Sequence, residues 1–132
     1  MEDREQAQTE GQKRTSALLR RLENAGCRTK DALERVFGDE EFYAEMLTEF
    51  LEDPALGELQ SAMEEKNAKK AFAAAHTLRG AALTLGLLPV GMPAAGLTEL
   101  LRGTDEMPDA AREIYAGLTE GLEAIRGAVE AG

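Results

Sequence analysis

Several residue types that mark common kinds of protein are scarce in this sequence. Its 132 residues include one cysteine, no tryptophan and 5% aromatic residues. Because Cys27 is alone, an internal disulfide and a cysteine-cluster metal site are excluded, and the few aromatic rings argue against a base-stacking platform for nucleic acid. No apolar run approaches the roughly 18 residues of a membrane-spanning helix, and residues 1–6 lack the apolar core of a signal peptide. We therefore expect a cytoplasmic protein without a membrane contact.

Positive charge is also scarce. Lysine and arginine number 15 against 25 aspartates and glutamates, which gives a formal net charge of -10 at pH 7. Phosphate backbones and anionic lipid surfaces repel such a protein. We therefore expect neither a nucleic acid nor a membrane as its partner.

The apolar residues are spaced as in helices along most of the chain. β-Branched residues are few, and no segment alternates between apolar and polar residues with a period of two. The length and a 43% content of hydrophobic residues fit one domain with its own core. Residues 1–12 are polar without an apolar period, so we predict a flexible N-terminal arm followed by an all-α antiparallel bundle over residues 13–132.

Capping residues and helix breakers predict the boundaries of the first helices. Thr15 or Ser16 is expected to cap a helix that ends at Gly26, after which a short turn follows. Asp39 is expected to cap the next helix, and Pro54 suits the first position of the one after it. The apolar stripe predicted for the Asp39 helix comprises Phe42, Met46, Leu47, Phe50 and Leu51.

The second half of the chain predicts three further helices. Asn67 can cap a helix over about 68–87, and Pro108 opens a last helix with the most regular amphipathic pattern in the chain. Between them, prolines and glycines crowd residues 89–96. This composition predicts an irregular link over about 87–92 and a short helix over about 93–102.

The only histidine, His76, stands in the middle of a predicted helix. Gly80 follows it by one helical turn, although a glycine inside a helix costs about 1 kcal/mol relative to alanine. Leu78 and Leu85 lie on the opposite side of the helix, so His76 is predicted to point away from the core. The residues within about 60° of His76 on the helical wheel are Lys69, Phe72, Ala73, Arg79, Gly80, Leu83 and Leu87.

The stretch from Ala75 to Gly86 resembles the signature of histidine-containing phosphotransfer (HPt) domains. That signature reads His-x-Leu-Lys/Arg-Gly, then a run of small residues, then Leu-Gly. Its fixed positions are occupied here by His76, Leu78, Arg79, Gly80, Leu85 and Gly86. The resemblance implies a four-helix bundle with an additional N-terminal helix. It also implies reversible phosphorylation of His76 and exchange of the phosphoryl group with aspartates of response-regulator receiver domains.

The residues and the resemblance together suggest roles within a site. His76 is expected to be phosphorylated, Arg79 to reach the phosphoryl group and Gly80 to leave room for the partner. The expected partner-binding surface comprises Lys69, Phe72, Ala73, Leu83, Leu87 and Thr98, the last at a position where several HPt domains carry Gln or Glu beside the histidine ring. No cofactor or metal site is expected, and any Mg²⁺ that the transfer needs would be bound by the receiver domain.

A hybrid sensor kinase is a further expected partner, and the protein is expected to be a monomer without autokinase activity. Gly91 and Gly96 lack the Gly-Lys-Ser/Thr that completes a Walker-type nucleotide loop.

Other functions of the helix face that carries His76 are also consistent with the sequence. The face would serve equally well as the docking patch of a non-catalytic adaptor, and incubation with a phosphorylated receiver domain separates the two functions. A haem or metal bundle is disfavoured because one histidine cannot build paired Glu-x-x-His motifs.

Overall fold

The computed structural model describes residues 10–131, which form seven α-helices and no β-strand. The helices are α1 (Glu10–Asn24), α2 (Thr29–Arg35), α3 (Glu40–Leu51), α4 (Pro54–Glu64), α5 (Ala68–Thr84), α6 (Leu88–Leu101) and α7 (Ala110–Glu130). The predicted all-α fold is thus confirmed. Within this part of the chain, no helix has the length and apolarity needed to cross a membrane.

The bundle is built around α5, the helix that carries His76. α5 packs against both α4 and α6, and α6 packs in turn against α7. α1 packs against α3 and α7, so the first and the last described helices are in contact. The buried residues of α5 are Ala68, Ala71, Ala74, Ala75, Leu78 and Ala82. Because most of these side chains are single methyl groups, the neighbouring helices can approach α5 closely.

Polar caps and a proline start the helices around the core, as predicted. Asp39 and Asn67 each accept a hydrogen bond from a backbone N–H three residues later, at 3.0 and 3.1 Å. These bonds satisfy donors that have no partner within the first turn of α3 and α5. Pro54 is the first residue of α4, where its missing N–H is not needed.

The first helix differs from the prediction. α1 begins with the first described residue and so runs ahead of both predicted caps. The Thr15 hydroxyl donates to the carbonyl of Gly11 at 2.9 Å inside α1, and the Ser16 hydroxyl donates to the Glu40 carboxylate at 2.8 Å. Neither hydroxyl is therefore free to cap a helix. Of the predicted N-terminal arm, residues 1–9 lie outside the described part of the chain and the rest is helical.

Two further expectations for the N-terminal half are wrong. The segment after Gly26, predicted as a turn, contains the helix α2. Phe42, predicted in the apolar stripe of α3, is 47% exposed, whereas its neighbour Tyr43 is fully buried. Tyr43 takes the inner position, where its hydroxyl donates to the buried carbonyl of Leu85 at 2.6 Å, a partner that sequence periodicity does not reveal.

The proline- and glycine-rich segment is largely helical, so the predicted irregular link over 87–92 is wrong. Pro89 lies in the first turn of α6, where it needs no N–H. Pro93 cannot donate to the Pro89 carbonyl, and that carbonyl lies against Gly121 of α7, where an added Cβ would overlap it. A Cβ on Gly91 would likewise lie 2.6 Å from Cδ2 of Leu83. Gly91 and Gly121 therefore each mark a close contact between two helices.

Candidate functional site

His76 lies on the outer face of α5, as predicted. Its side chain is exposed, whereas Leu78, two residues later, is fully buried. Ala73 and Gly80 are exposed on the same stretch of helix, and Arg79 is half-buried. The structure thus brings these predicted residues to the surface with the histidine.

α5 ends in a turn that the Leu85-Gly86 pair makes possible. Gly86 has φ +71°, a left-handed conformation that glycine adopts without strain. Its N–H donates to the carbonyl of Leu83 at 3.1 Å, and the N–H of Leu87 donates to that of Ala82 at 2.8 Å. This pair of bonds forms a Schellman motif, which turns Leu87 inward. Leu87 is fully buried, so it does not lie on the accessible surface around His76 where it was predicted.

Three groups from the N-terminal third of the chain hold this end of α5. The backbone N–H of Arg28, the guanidinium of Arg35 and the hydroxyl of Tyr43 donate to carbonyls of residues 84–86, at 2.8, 2.6 and 2.6 Å. Burial, with a smaller contribution from Cys27, raises the pKa of Tyr43 well above its usual range, so the hydroxyl stays protonated and can donate. The helix that carries the histidine is therefore fixed at its C-terminal end.

The His76 ring packs against Phe72, one turn earlier on α5. The two ring centroids are 5.9 Å apart and the ring planes are inclined by 40°. The guanidinium carbon of Arg102, at the end of α6, lies 5.4 Å from the centroid of the Phe72 ring. Sequence reasoning missed Arg102, because only the packing of α6 against α5 brings it to this place. Periodicity within a single helix carries no signal for such a contact.

The lysines near His76 are paired with carboxylates. Lys69 lies 3.6 Å from Asp105, and both side chains are more than four-fifths exposed, so the pair contributes little to stability. Lys70 lies 3.3 Å from Glu65. Arg79, in contrast, forms no ion pair within residues 10–131. Its positive charge is therefore available to an anion at the histidine.

Gly80 leaves open space beside the histidine. A Cβ added at this position would meet no atom outside its own helix within 4 Å. Gly80 also borders a groove of about 350 Å³ between α3 and α5. The groove is lined by Met46, Glu49, Phe50, Asp53, Gly80, Ala81, Thr84 and Leu85. A partner that approaches Gly80 therefore meets a recess in the surface.

Thr98, predicted on the partner-binding surface, does not reach the surface around His76. It is fully buried, and its hydroxyl donates to the carbonyl of Ala94 at 2.7 Å inside α6. Within the described residues, no side chain forms a hydrogen bond with the His76 ring, and the aromatic ring that it contacts is that of Phe72. Leu83 is half-buried against Gly91.

The arrangement around His76 suits nucleophilic attack on an anionic group. An accessible neutral imidazole is a good nucleophile, a free cation lies one turn away, and a glycine opens the approach. Among residues 10–131, no group of three or more histidine, cysteine, aspartate or glutamate side chains is placed to hold a metal ion.

Comparison with protein families identifies this region of the chain. A family model described as Hpt domain matches residues 41–128. The match begins in α3, ends in α7 and includes the whole of the helix that carries His76. Comparisons with curated proteins and with solved structures found no significant match.

Proposed function

The chain belongs to the Hpt domain family, and from that premise we propose that His76 carries a phosphoryl group to and from receiver-domain aspartates. Membership of this family indicates a phosphotransfer function in phosphorelays, with receiver domains as partners. The observation that supports His76 as the carrier is its exposure beside an open glycine and an unpaired arginine on one helix face.

The proposed step transfers one phosphoryl group between two side chains. A lone pair on an imidazole nitrogen of His76 attacks the phosphorus of an aspartyl phosphate, and the N–P bond forms as the O–P bond breaks. The aspartate leaves as a carboxylate with the electron pair of that bond, while the second ring nitrogen keeps its proton. Attack by a carboxylate on the phosphohistidine reverses the step.

Arg79 and Gly80 supply what the transfer needs besides a nucleophile, namely counter-charge and access. Arg79 lies one turn from His76, within reach of the phosphoryl oxygens, and a charge-assisted hydrogen bond to them strengthens as negative charge gathers there. Gly80 lets the loops of the receiver close over the imidazole. Any Mg²⁺ that the reaction uses is assigned to the receiver domain.

The test is transfer from a receiver domain whose aspartate carries a radioactive phosphoryl group. We expect the label to move to the wild-type protein and to resist base but not acid, as a phosphoramidate bond does. In His76→Gln the label should stay on the receiver. That variant should fold normally, because replacing an exposed side chain usually changes stability by less than about 0.5 kcal/mol.

The outcomes separate the carrier from the adaptor. A labelled His76→Gln protein would show that another residue accepts the phosphoryl group. A folded wild-type protein that binds phosphorylated receivers of its own organism without accepting label would favour the non-catalytic adaptor, since docking alone needs no acceptor nitrogen. Incubation with ATP in the absence of a kinase should leave the protein unlabelled.

Gly80 provides a prediction in which stability and transfer change in opposite directions. Gly80→Ala should raise the free energy of unfolding by up to about 1 kcal/mol, because alanine favours the helix and its Cβ meets open space. Gly80→Gln should be tolerated as well. Both should slow transfer from the receiver, the glutamine by about tenfold or more, because a side chain beside the ring displaces the incoming phosphorus.

Thermal denaturation and single-turnover transfer measure the two effects. Gly117→Gln is the matched control, since Gly117 lies in the middle of α7 and an added Cβ there also meets no neighbouring atom within 4 Å. It should stabilise the helix and leave transfer unchanged. Unfolding of Gly80→Gln, or transfer at the wild-type rate, would refute the role assigned to Gly80.

A further inference from the structure

Phe72 lies between the histidine and a cation, although it was expected to contact the partner. On one side its ring meets His76, with centroids 5.9 Å apart, and the guanidinium carbon of Arg102 lies 5.4 Å from its centroid. We propose that Phe72, held in place by Arg102, is a positioning residue that orients the His76 ring for attack. This proposal rests on the proposed function of His76 as the phosphoryl carrier.

The His76 ring needs such a support because it has no polar one. An exposed histidine turns about two side-chain torsions, and without a contact it populates several rotamers. No hydrogen bond holds the ring within the described residues, and Thr98 on the neighbouring helix is fully buried and bonded to Ala94. The contact with the Phe72 ring restricts the imidazole in place of a hydrogen bond. Its spacing lies in the range that tilted aromatic pairs favour.

Phe72 is itself fixed by a second element of the fold. Arg102 approaches the ring within the distance of a cation–π interaction, which places a residue at the end of α6 against α5. The guanidinium of Arg102 is also held by Glu99, at 3.1 Å. Three residues further on, Asp105 pairs with Lys69 of α5. The end of α6 and the turn after it therefore contact α5 at two places on the N-terminal side of His76, of which the exposed Lys69–Asp105 pair adds little to stability.

The orientation of the ring matters because the reacting nitrogen must point along the line of the breaking O–P bond. A displacement of about 1 Å in a reacting group can lower a rate by about a hundredfold. A ring restrained by Phe72 spends more of its time in the reactive direction. The effect belongs to the transfer step and not to the affinity for the receiver, which distinguishes a positioning residue from a docking residue.

Nuclear magnetic resonance tests the contact directly. Since the chain has one histidine, its imidazole proton signals belong to His76 without further assignment. We expect through-space cross-peaks between these protons and the Phe72 ring, and a ring-current shift of the imidazole signals. Phe72→Leu should abolish the shift, Phe72→Tyr should retain it, and Arg102→Gln should weaken the cross-peaks. Their absence in the wild-type protein would overturn the proposal.

Single-turnover transfer from phosphorylated receiver tests the consequence. For Phe72→Leu we expect the rate at saturating receiver to fall about tenfold, while the half-saturating concentration stays unchanged and Phe72→Tyr restores the rate. Phe42→Leu makes the same change at an exposed phenylalanine on α3 and should leave the saturated rate unchanged. An unchanged saturated rate for Phe72→Leu overturns the proposal. If the saturated rate is unchanged and the half-saturating concentration of the receiver is raised, Phe72 is a docking residue instead.

The failure of this proposal differs from failure of the proposed function. If the wild-type protein accepts no phosphoryl group, the function proposed for His76 is wrong. The positioning role proposed for Phe72 is then wrong as well, even if the cross-peaks are present. If the wild-type protein accepts the group and Phe72→Leu does so at the same saturated rate, only the positioning role is wrong. Circular dichroism of each variant confirms that the comparison concerns folded protein.

Discussion

Replacing Gly86 by alanine should destabilise the protein by about 3 kcal/mol or more. Gly86 has φ +71°, which costs a residue with a side chain roughly 1–2 kcal/mol. The added Cβ would also overlap the carbonyl oxygen of Arg28, so the chain there must move. Movement endangers the 2.8 Å hydrogen bond from the Arg28 N–H to the Gly86 carbonyl, and a buried group left unpaired costs about 1–3 kcal/mol.

Urea denaturation measures this loss, with Gly57→Ala as the control. Gly57 lies inside α4 and is exposed, and an added Cβ meets no neighbouring atom within 4 Å. Alanine there should stabilise the protein by up to about 1 kcal/mol. Replacement of glycine by alanine should therefore lower the free energy of unfolding at position 86 and raise it at position 57. Equal unfolding free energies for wild type and Gly86→Ala would show that the junction between Arg28 and α5 is looser than the structure describes.

Cys27 offers a second readout of the same junction, because it directly precedes Arg28. It is 5% exposed, and burial raises the pKa of its thiol to about 11. Since the thiolate is the reactive form, Cys27 should react slowly with a disulfide reagent near neutral pH. In Gly86→Ala the reaction should become faster, because opening of the junction exposes the thiol. A thiol that stays protected would contradict the predicted opening.

Arg79→Ala should slow phosphoryl transfer by about a hundredfold, the scale seen when one donor to a developing charge is removed. Arg79 is the free cation one turn from His76, and no ion pair within residues 10–131 competes for it. Arg79→Lys should retain much of the rate, because an ammonium still supplies charge. The fold should persist, since removing this half-exposed side chain leaves no buried partner unpaired.

Rapid-quench transfer measures the effect of Arg79, and Arg112→Ala is the matched control. Arg112 is an exposed arginine on α7 that is likewise without an ion pair among the described residues. The Arg112→Ala protein should accept the phosphoryl group at the wild-type rate. The lifetime of the phosphohistidine in each variant reports on stabilisation of the product. If Arg79→Ala changed neither the rate nor the lifetime, Arg79 would have no part in the site.

The sequence predicted those features that local chemistry decides. The start of α5 follows from the amide of Asn67, and the outward direction of His76 follows from the rotation of about 100° per residue. Both depend on residues within one helix. The same locality explains why the all-α fold could be predicted from spacing alone.

Features that depend on the end of a helix or on a neighbouring helix could not be predicted in this way. Leu87 was placed by a helical wheel that no longer applies beyond Gly86, where the backbone turns to positive φ. Thr98 was placed by its position along the chain, which does not give the direction of its side chain. Arg102 reaches Phe72 only through packing of two helices. The prolines and glycines of residues 89–96 predicted a break in the helix. The segment is helical instead, and Gly91 allows α6 to approach α5 closely.

The contact between Pro89 and Gly121 restricts how the protein can respond to a partner. Helices that meet through side chains alone can slide by a small repacking, and many allosteric proteins transmit signals in that way. Here a backbone carbonyl of α6 occupies the place of a missing side chain on α7, and Leu83 occupies the corresponding place at Gly91. Axial sliding of α6 would move this carbonyl out of the gap that Gly121 leaves on α7. We therefore expect a partner bound over His76 to leave the axial register of α6 and α7 unchanged.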